Sequence, residues 1–191
     1  MGMRIIAGLA RGVELEVPPG ESVRPTAVRS RKALFDSLGD LSGVTVLDLC
    51  AGSGALALEA VSRGAARAVM VEREARHRRV IEGNLRRVTA AGVTAELRVV
   101  AADAVMVDGY AAAAAGCGLI FADPPYAESL RIFSTLMSEP RFFAAFPGAL
   151  VVWEMPGTPG VLGEFLAAAR LTGVRTRKFG GVDFLMGVID G

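Results

Sequence analysis

Asp123-Pro124-Pro125-Tyr126 sets a carboxylate, a proline carbonyl and an aromatic ring within four residues. Two successive prolines fix φ and remove two backbone donors, so no strand can continue through them. The apolar run Gly118-Leu119-Ile120-Phe121-Ala122 just before them reads as a short buried strand. The tetrapeptide therefore turns sharply at that strand's carboxyl end, where open α/β sheets bind ligands. Two rigid acceptors beside a flat ring suit a planar group that bears an amino group. A strand-ending turn with a satisfied Asp is the plainer alternative for the tetrapeptide taken alone.

A second constellation lies upstream. Gly52-Ser53-Gly54 falls between a predicted strand and a predicted helix, where glycines let the backbone approach a ligand closely. The dinucleotide fingerprint G-x-G-x-x-G is met only in its looser form, because Ala57 holds the third glycine position. Asp48 stands at the end of the strand, where its charge would repel a pyrophosphate. Its carboxylate suits a cationic group instead, such as the amino group of S-adenosylmethionine. Glu72 ends the next strand and can accept from both hydroxyls of a ribose, a feature shared with nicotinamide binders. Asp103 follows the third strand and can accept from an adenine amine. Each acid alone could be an ordinary turn residue. Three acids at three successive strand ends fit a cationic nucleoside better than a diphosphate.

These residues need a scaffold of alternating strands and helices. Strands are expected at 44–47, 68–71, 97–100, 118–122 and 149–153, with helices at 55–63, 74–90, 129–137 and 163–171 between or after them. Val174 to Lys178 and Val182 to Ile189 read as a closing hairpin around Gly180-Gly181. The fold class is therefore α/β: a mostly parallel seven-stranded sheet with helices on both faces and an antiparallel strand at or near one edge. Ahead of it, 3–7 and 13–17 read as a small hairpin, too small to fold alone. Thr26 is placed to N-cap a helix of roughly 27–38. On that helix Ala27, Val28, Leu34, Phe35 and Leu38 share one side, and Arg29 and Lys32 fall outside it. Arg31 falls inside the apolar stripe. It must point into a cleft, pair with a carboxylate there, or run its stem along the core edge.

Composition narrows the function classes. The chain has 191 residues, is 52% hydrophobic and carries a net charge of +1. That balance does not describe a general nucleic-acid binder, so contact with a polyanion must be local. Arg24, Arg29, Arg31 and Lys32 form one acid-free basic cluster. The arginines between 73 and 87 form another, whose plainer meaning is a solvated helix face. The longest uncharged run, Gly109 to Ala122, is too short to span a bilayer. No apolar segment follows the first residues as in a secretory leader. Cys50 and Cys117 lie in apolar runs as small buried hydrophobes, and with one histidine no familiar zinc site can be assembled. A cytoplasmic protein without a metal is expected.

Taken together, these stretches carry a family likeness. The chain resembles the class I S-adenosylmethionine-dependent methyltransferases, which have a Rossmann-like fold. Among them it is similar to the RsmD-type guanine-N2 methyltransferases of small-subunit ribosomal RNA. The likeness rests on Arg4-Ile5-Ile6-Ala7-Gly8, Arg11-Gly12, Arg24-Pro25-Thr26 with Arg29 and Arg31, Val46 to Gly54, Leu58 to Ala65, Glu72, Asp103 and Asp123-Pro124-Pro125-Tyr126. The Arg-Pro-Thr block is its most discriminating part. Two departures stand out: Val13-Glu14 follows Arg11-Gly12 where a basic residue is common, and Lys32 stands where Glu is usual. The second removes a partner for Arg31.

The resemblance implies a hairpin extension at 1–25 and a methyltransferase domain at 26–191. It implies that S-adenosylmethionine is held by Asp48, Ala51, Gly52, Ser53, Gly54, Glu72, Ala102 and Asp103. It gives catalysis to Asp123, Pro124, Pro125 and Tyr126, and RNA contact to Arg11, Arg24, Thr26, Arg29, Arg31 and Lys32. The implied partner is 16S ribosomal RNA, in the small subunit or its assembly intermediate, met by a monomer. Three rivals remain open at this point. They are an adenine-N6 methyltransferase of DNA or RNA, a nicotinamide-dependent oxidoreductase, and a ribosome-assembly factor without catalysis.

Overall fold

Apolar runs that must bury both faces belong in the middle of a parallel sheet, and the chain puts them there. The computed structural model describes residues 3–18, 25–157 and 160–190. In chain order the elements are β1 (Met3–Arg4), β2 (Glu14–Leu15), α1 (Pro25–Leu38), β3 (Thr45–Leu49), α2 (Ala55–Ser62), β4 (Arg67–Val71), α3 (Ala75–Ala90) and β5 (Glu96–Val100). A 3-10 turn at Val107–Gly109 leads to β6 (Leu119–Ala122), α4 (Tyr126–Met137), α5 (Pro140–Ala145), β7 (Leu150–Glu154), α6 (Val161–Ala168), β8 (Thr172–Phe179) and β9 (Val182–Val188). The sheet order is β5-β4-β3-β6-β7-β9-β8. The first five of these are parallel, and β9 enters antiparallel between β7 and the edge strand β8.

Alternation along the strands splits the interior in two. Leu47, Leu49, Val69, Val71, Ile120, Ala122, Val151 and Trp153 pack into a core with α4, α5 and α6. Val46, Ala68, Met70, Leu119, Phe121 and Val152 pack into a second core with α1, α2, α3 and the N-terminal hairpin. Trp153 also donates its indole N–H to the Ser129 hydroxyl at 2.9 Å, tying α4 to the sheet.

The hairpin β1–β2 is a separate two-stranded sheet clamped onto the end of α2. Its anchor is Glu59, fully buried in an otherwise apolar helix. Glu59 accepts from the backbone N–H of Ile6 at 2.7 Å and of Ala7 at 3.1 Å, and from Arg63 Nε at 2.7 Å. Ser62 accepts from Ala10 N and donates to the Ala7 carbonyl. Gly8, at φ +81°, lies so close that a Cβ there would sit 1.7 Å from the Ser62 carbonyl oxygen. Asn84 on α3 closes the other side, bonding the Glu16 backbone and the Ser53 carbonyl.

Several expected boundaries move. Helix α1 begins at Pro25, so Thr26 lies in its first turn and does not cap it. A proline without an N–H is well tolerated there, because the first-turn donors have no partner within the helix. Helix α4 begins at Tyr126, directly after the proline pair, not at 129. Helix α5 was not expected; it is six residues long, opens with Pro140, and its N-cap Glu139 accepts from Arg141 N. The strands of the N-terminal hairpin are shorter than expected, with two residues each. Cys50 is not inside a strand: it sits in the turn after β3 at φ 60° and is partly exposed. Arg24 lies outside the described residues.

Candidate active site

The carboxyl ends of β3, β4, β6 and β7 open onto one cavity of about 920 Å³. One wall is the β3–α2 turn. The chain reverses there through left-handed conformations at Gly52 (φ 56°) and Gly54 (φ 77°). The φ of Gly54 favours glycine, and a Cβ there would meet the Met70 sulfur at a tight 3.3 Å. Glu72 holds this turn in place. One of its oxygens accepts from Gly52 N at 2.9 Å, and the other accepts from Glu74 N at 2.8 Å.

Asp48 points to the α2 side of the sheet, where it accepts from Ala57 N at 3.1 Å. It is 2% exposed, and no cationic side chain among the described residues pairs with it. Burial pushes its carboxyl up to about 7; the Ala57 N–H opposes that and the charge of Glu72 adds to it. A buried acid left without a protein cation can take a cationic ligand group as its partner. Asp103, also on this wall, accepts from Val105 N at 3.1 Å and lies 3.6 Å from Arg73. Burial and the surrounding acids push the Cys50 thiol up to about 12, so this cavity-lining sulfur is not a nucleophile at neutral pH.

The opposite wall is the β6–α4 turn. Asp123 and Tyr126 are exposed to the cavity, and Pro124 is buried. The Tyr126 hydroxyl donates to Glu154 Oε1, at the end of β7, at 3.0 Å. The two walls are linked across the rim. Arg73, next to Glu72, makes two hydrogen bonds to Glu128 on α4, at 2.8 and 3.2 Å.

Asp48, Ala51, Gly52, Ser53, Ala102, Asp103 and the whole Asp123-Pro124-Pro125-Tyr126 turn thus face one space with Glu72. Gly54 sits behind the turn as its hinge. The expected RNA contacts divide. Arg11 and Arg29 are exposed, and Lys32 is exposed and paired with Asp36. Arg31 is 6% exposed: it donates to the Arg4 carbonyl at 2.6 Å, lies 3.9 Å from Glu59, and still lines the cavity. Of the readings open for Arg31, pairing with a carboxylate describes it, and the carboxylate comes from α2. Sequence reasoning missed Glu154, Phe184, Ser30 and Leu34, which also line the cavity. An acid ending an apolar strand was the signal that pointed to Glu72, and the same signal marks Glu154. Phe184 carries no comparable mark.

Among the described residues no cluster of His, Cys, Asp and Glu could hold a metal ion, and no helix is long and apolar enough to cross a membrane. Comparison with known proteins gives one family, described as conserved hypothetical protein 95, whose model matches residues 3–187. YlbH of Bacillus subtilis (strain 168), provisionally named an rRNA methyltransferase, is 36% identical over 141 residues, covering 72% of this chain and 74% of that protein. Ribosomal RNA small subunit methyltransferase D of Escherichia coli (strain K12) is 36% identical over 129 residues, covering 67% of this chain and 62% of that protein. The solved structure of Escherichia coli yhhF, provisionally a methyltransferase, superposes with a TM-score of 0.71 at 29% identity, covering 100% of this chain and 99% of that one.

Proposed function

The chain belongs to the family of conserved hypothetical protein 95, of the RsmD type, and from that premise we propose that it methylates the exocyclic N2 amine of a guanine in small-subunit ribosomal RNA, using S-adenosylmethionine. The observation that carries the reading is the single cavity. A glycine turn with buried acids forms one wall, and a carboxylate, a proline carbonyl and an aromatic ring form the other.

The residues present fit the cofactor. Asp48 supplies the missing charge partner for its amino group. Glu72 has lone-pair positions beyond the two taken by backbone N–H groups, and these can accept from ribose hydroxyls. The glycine turn lets the backbone pass close to it, between Ala51 and Ser53, and Ala102 and Asp103 face the adenine end. When bound, the cofactor supplies a methyl group activated by a sulfonium.

The protein's remaining work is on the amine. The N2 lone pair of guanine is delocalised into the ring, which makes it a weak nucleophile. Asp123 and the Pro124 carbonyl each accept one N2–H, which orients the nitrogen and stabilises positive charge as it develops there. The N2 proton then released is taken toward solvent by Asp123, which is exposed. Pro125 fixes the turn, and Tyr126 stacks on a base drawn out of its helix or loop. Arg11, Arg24, Thr26, Arg29 and Lys32 contact the RNA, the basic residues among them holding its phosphates. Arg31 acts from the cavity wall. Residues 1–25 serve as the docked extension and 26–191 as the transfer domain. We take the protein to act as a cytoplasmic monomer, and a net charge of +1 favours an RNA met in a particle with protein contacts over naked RNA.

The test is transfer of labelled methyl to small ribosomal subunits and to naked ribosomal RNA, followed by digestion and identification of the base. N2-methylguanosine is the expected product. N6-methyladenosine, or no label in RNA, would overturn the reading.

A further inference from the structure

We propose that Glu154 is the residue that selects guanine, by accepting its N1–H; the inference rests on the guanine-N2 reading above. Ala122 pairs with Trp153 in the parallel register of β6 and β7. β6 ends at Ala122, so Asp123 is the first residue beyond it, while Glu154 is the last residue of β7, directly after Trp153. Trp153 faces the α4 core, whereas Glu154 pairs with Phe184, which belongs to the α1-side core. Both carboxylates line the cavity there. Tyr126 donates to Glu154 at 3.0 Å, which holds that carboxylate at the edge of the ring on which the base would stack. Phe184, the cross-strand partner of Glu154 on β9, also lines the cavity.

The chemistry of the base completes the geometry. Guanine carries three N–H donors side by side, two on N2 and one on N1; its Watson–Crick edge presents N1–H and the nearer N2–H. Asp123 and Pro124 accept the first two. The third points to the neighbouring position, where the end of β7 offers a second carboxylate that lines the same cavity. A carboxylate offers about four lone-pair positions, so one such group can accept from a tyrosine and from a base together. Adenine presents its amine beside an N1 that has no hydrogen and is itself an acceptor. Two acceptors facing each other repel, and the desolvated acid loses its donor. Sites built around a hydrogen bond reject analogues that lack it by about 10²-fold or more.

The test compares guanine with 2-aminopurine at the position located by base identification, in otherwise identical ribosomal RNA. 2-Aminopurine keeps the N2 amine and lacks the N1–H. The wild-type protein is expected to prefer guanine by about 10²-fold in kcat/KM. In Glu154→Gln, whose amide can turn a donor toward N1, the preference should fall to within about threefold. Tyr126→Phe, which removes the hydroxyl that holds Glu154, should slow both substrates and lower the preference by less than Glu154→Gln does. A wild-type protein that uses 2-aminopurine as readily as guanine overturns the role of Glu154 without recourse to any variant. So does a Glu154→Gln protein that keeps the full preference, since Glu154 would then only position Tyr126. If no guanine in ribosomal RNA is labelled at all, the guanine-N2 reading itself fails, which is a separate result.

Discussion

The two walls of the cavity are built differently. The wall from β3 to β5 is buried and tied down: Asp48 and Glu72 are 2% and 6% exposed, and backbone N–H groups hold their carboxylates. The wall at β6 and β7 is open: Tyr126 is 43% exposed, and Asp123 faces solvent. The closed wall suits a small molecule that is recognised the same way at every turnover. The open wall suits one nucleotide of a large substrate, which must enter with its backbone attached and leave again.

Breaking the open wall should cost rate and spare binding. Asp123→Ala is expected to lower transfer by about 10²–10³-fold, as removal of one preorganised polar group does. Calorimetry should find its cofactor Kd unchanged. Equal losses in rate and cofactor affinity would merge the two walls into one.

Breaking the closed wall should do the reverse. Asp48→Asn is expected to weaken cofactor binding by about 10–100-fold, the effect of losing a buried charge partner. The same change should stabilise the free protein above neutral pH. Asp48 titrates near its ordinary 3.8 when unfolded and at about 7 when folded. Its contribution to stability is therefore full below about pH 4 and lost as pH rises through about 7. Asn removes that loss, so Tm should rise at pH 8 and not at pH 4. For the wild type, cofactor binding should tighten between pH 6 and pH 8 with release of a proton, which titration in buffers of different ionisation enthalpy reads directly.

Glu72→Gln gives a smaller, mixed effect. Its two carboxylate oxygens hold Gly52 N and Glu74 N, and an amide can accept only one of the two. A modest fall in Tm should accompany a roughly tenfold rise in Kd, because one buried N–H loses its partner. An unchanged Tm would mean that the turn stands without Glu72. The smallest effect is expected at the link between the walls. Arg73 and Glu128 are 44% and 30% exposed. Glu128→Gln should change cofactor Kd by less than about threefold, and less still in high salt.

How much of this was legible depends on chain locality. Gly52-Ser53-Gly54, Glu72, Asp103 and Asp123-Pro124-Pro125-Tyr126 each stand where an apolar strand stops, and that pattern can be read along the chain. The parallel strands were legible for the same reason. Pairings across the chain were not. Arg31 finds Glu59, which is hidden as one acid within Ala-Leu-Ala-Leu-Glu-Ala-Val, and no local period says that a hairpin will dock there. Phe184 reaches the cavity because β9 inserts beside β7, a choice made by the sheet and not by either strand. Helix α5 has six residues, too few for a helical period to declare itself.

The strand order has a further consequence. Val46 to Asp103, which carry the whole closed wall, form one uninterrupted block, whereas β6 joins β3 only after some seventy intervening residues. A growing polypeptide therefore exposes every group needed to grip the cofactor before Asp123 is synthesised. The parts proposed for capture emerge ahead of those proposed for reaction, and the last strands to arrive, β8 and β9, complete the sheet beside β7.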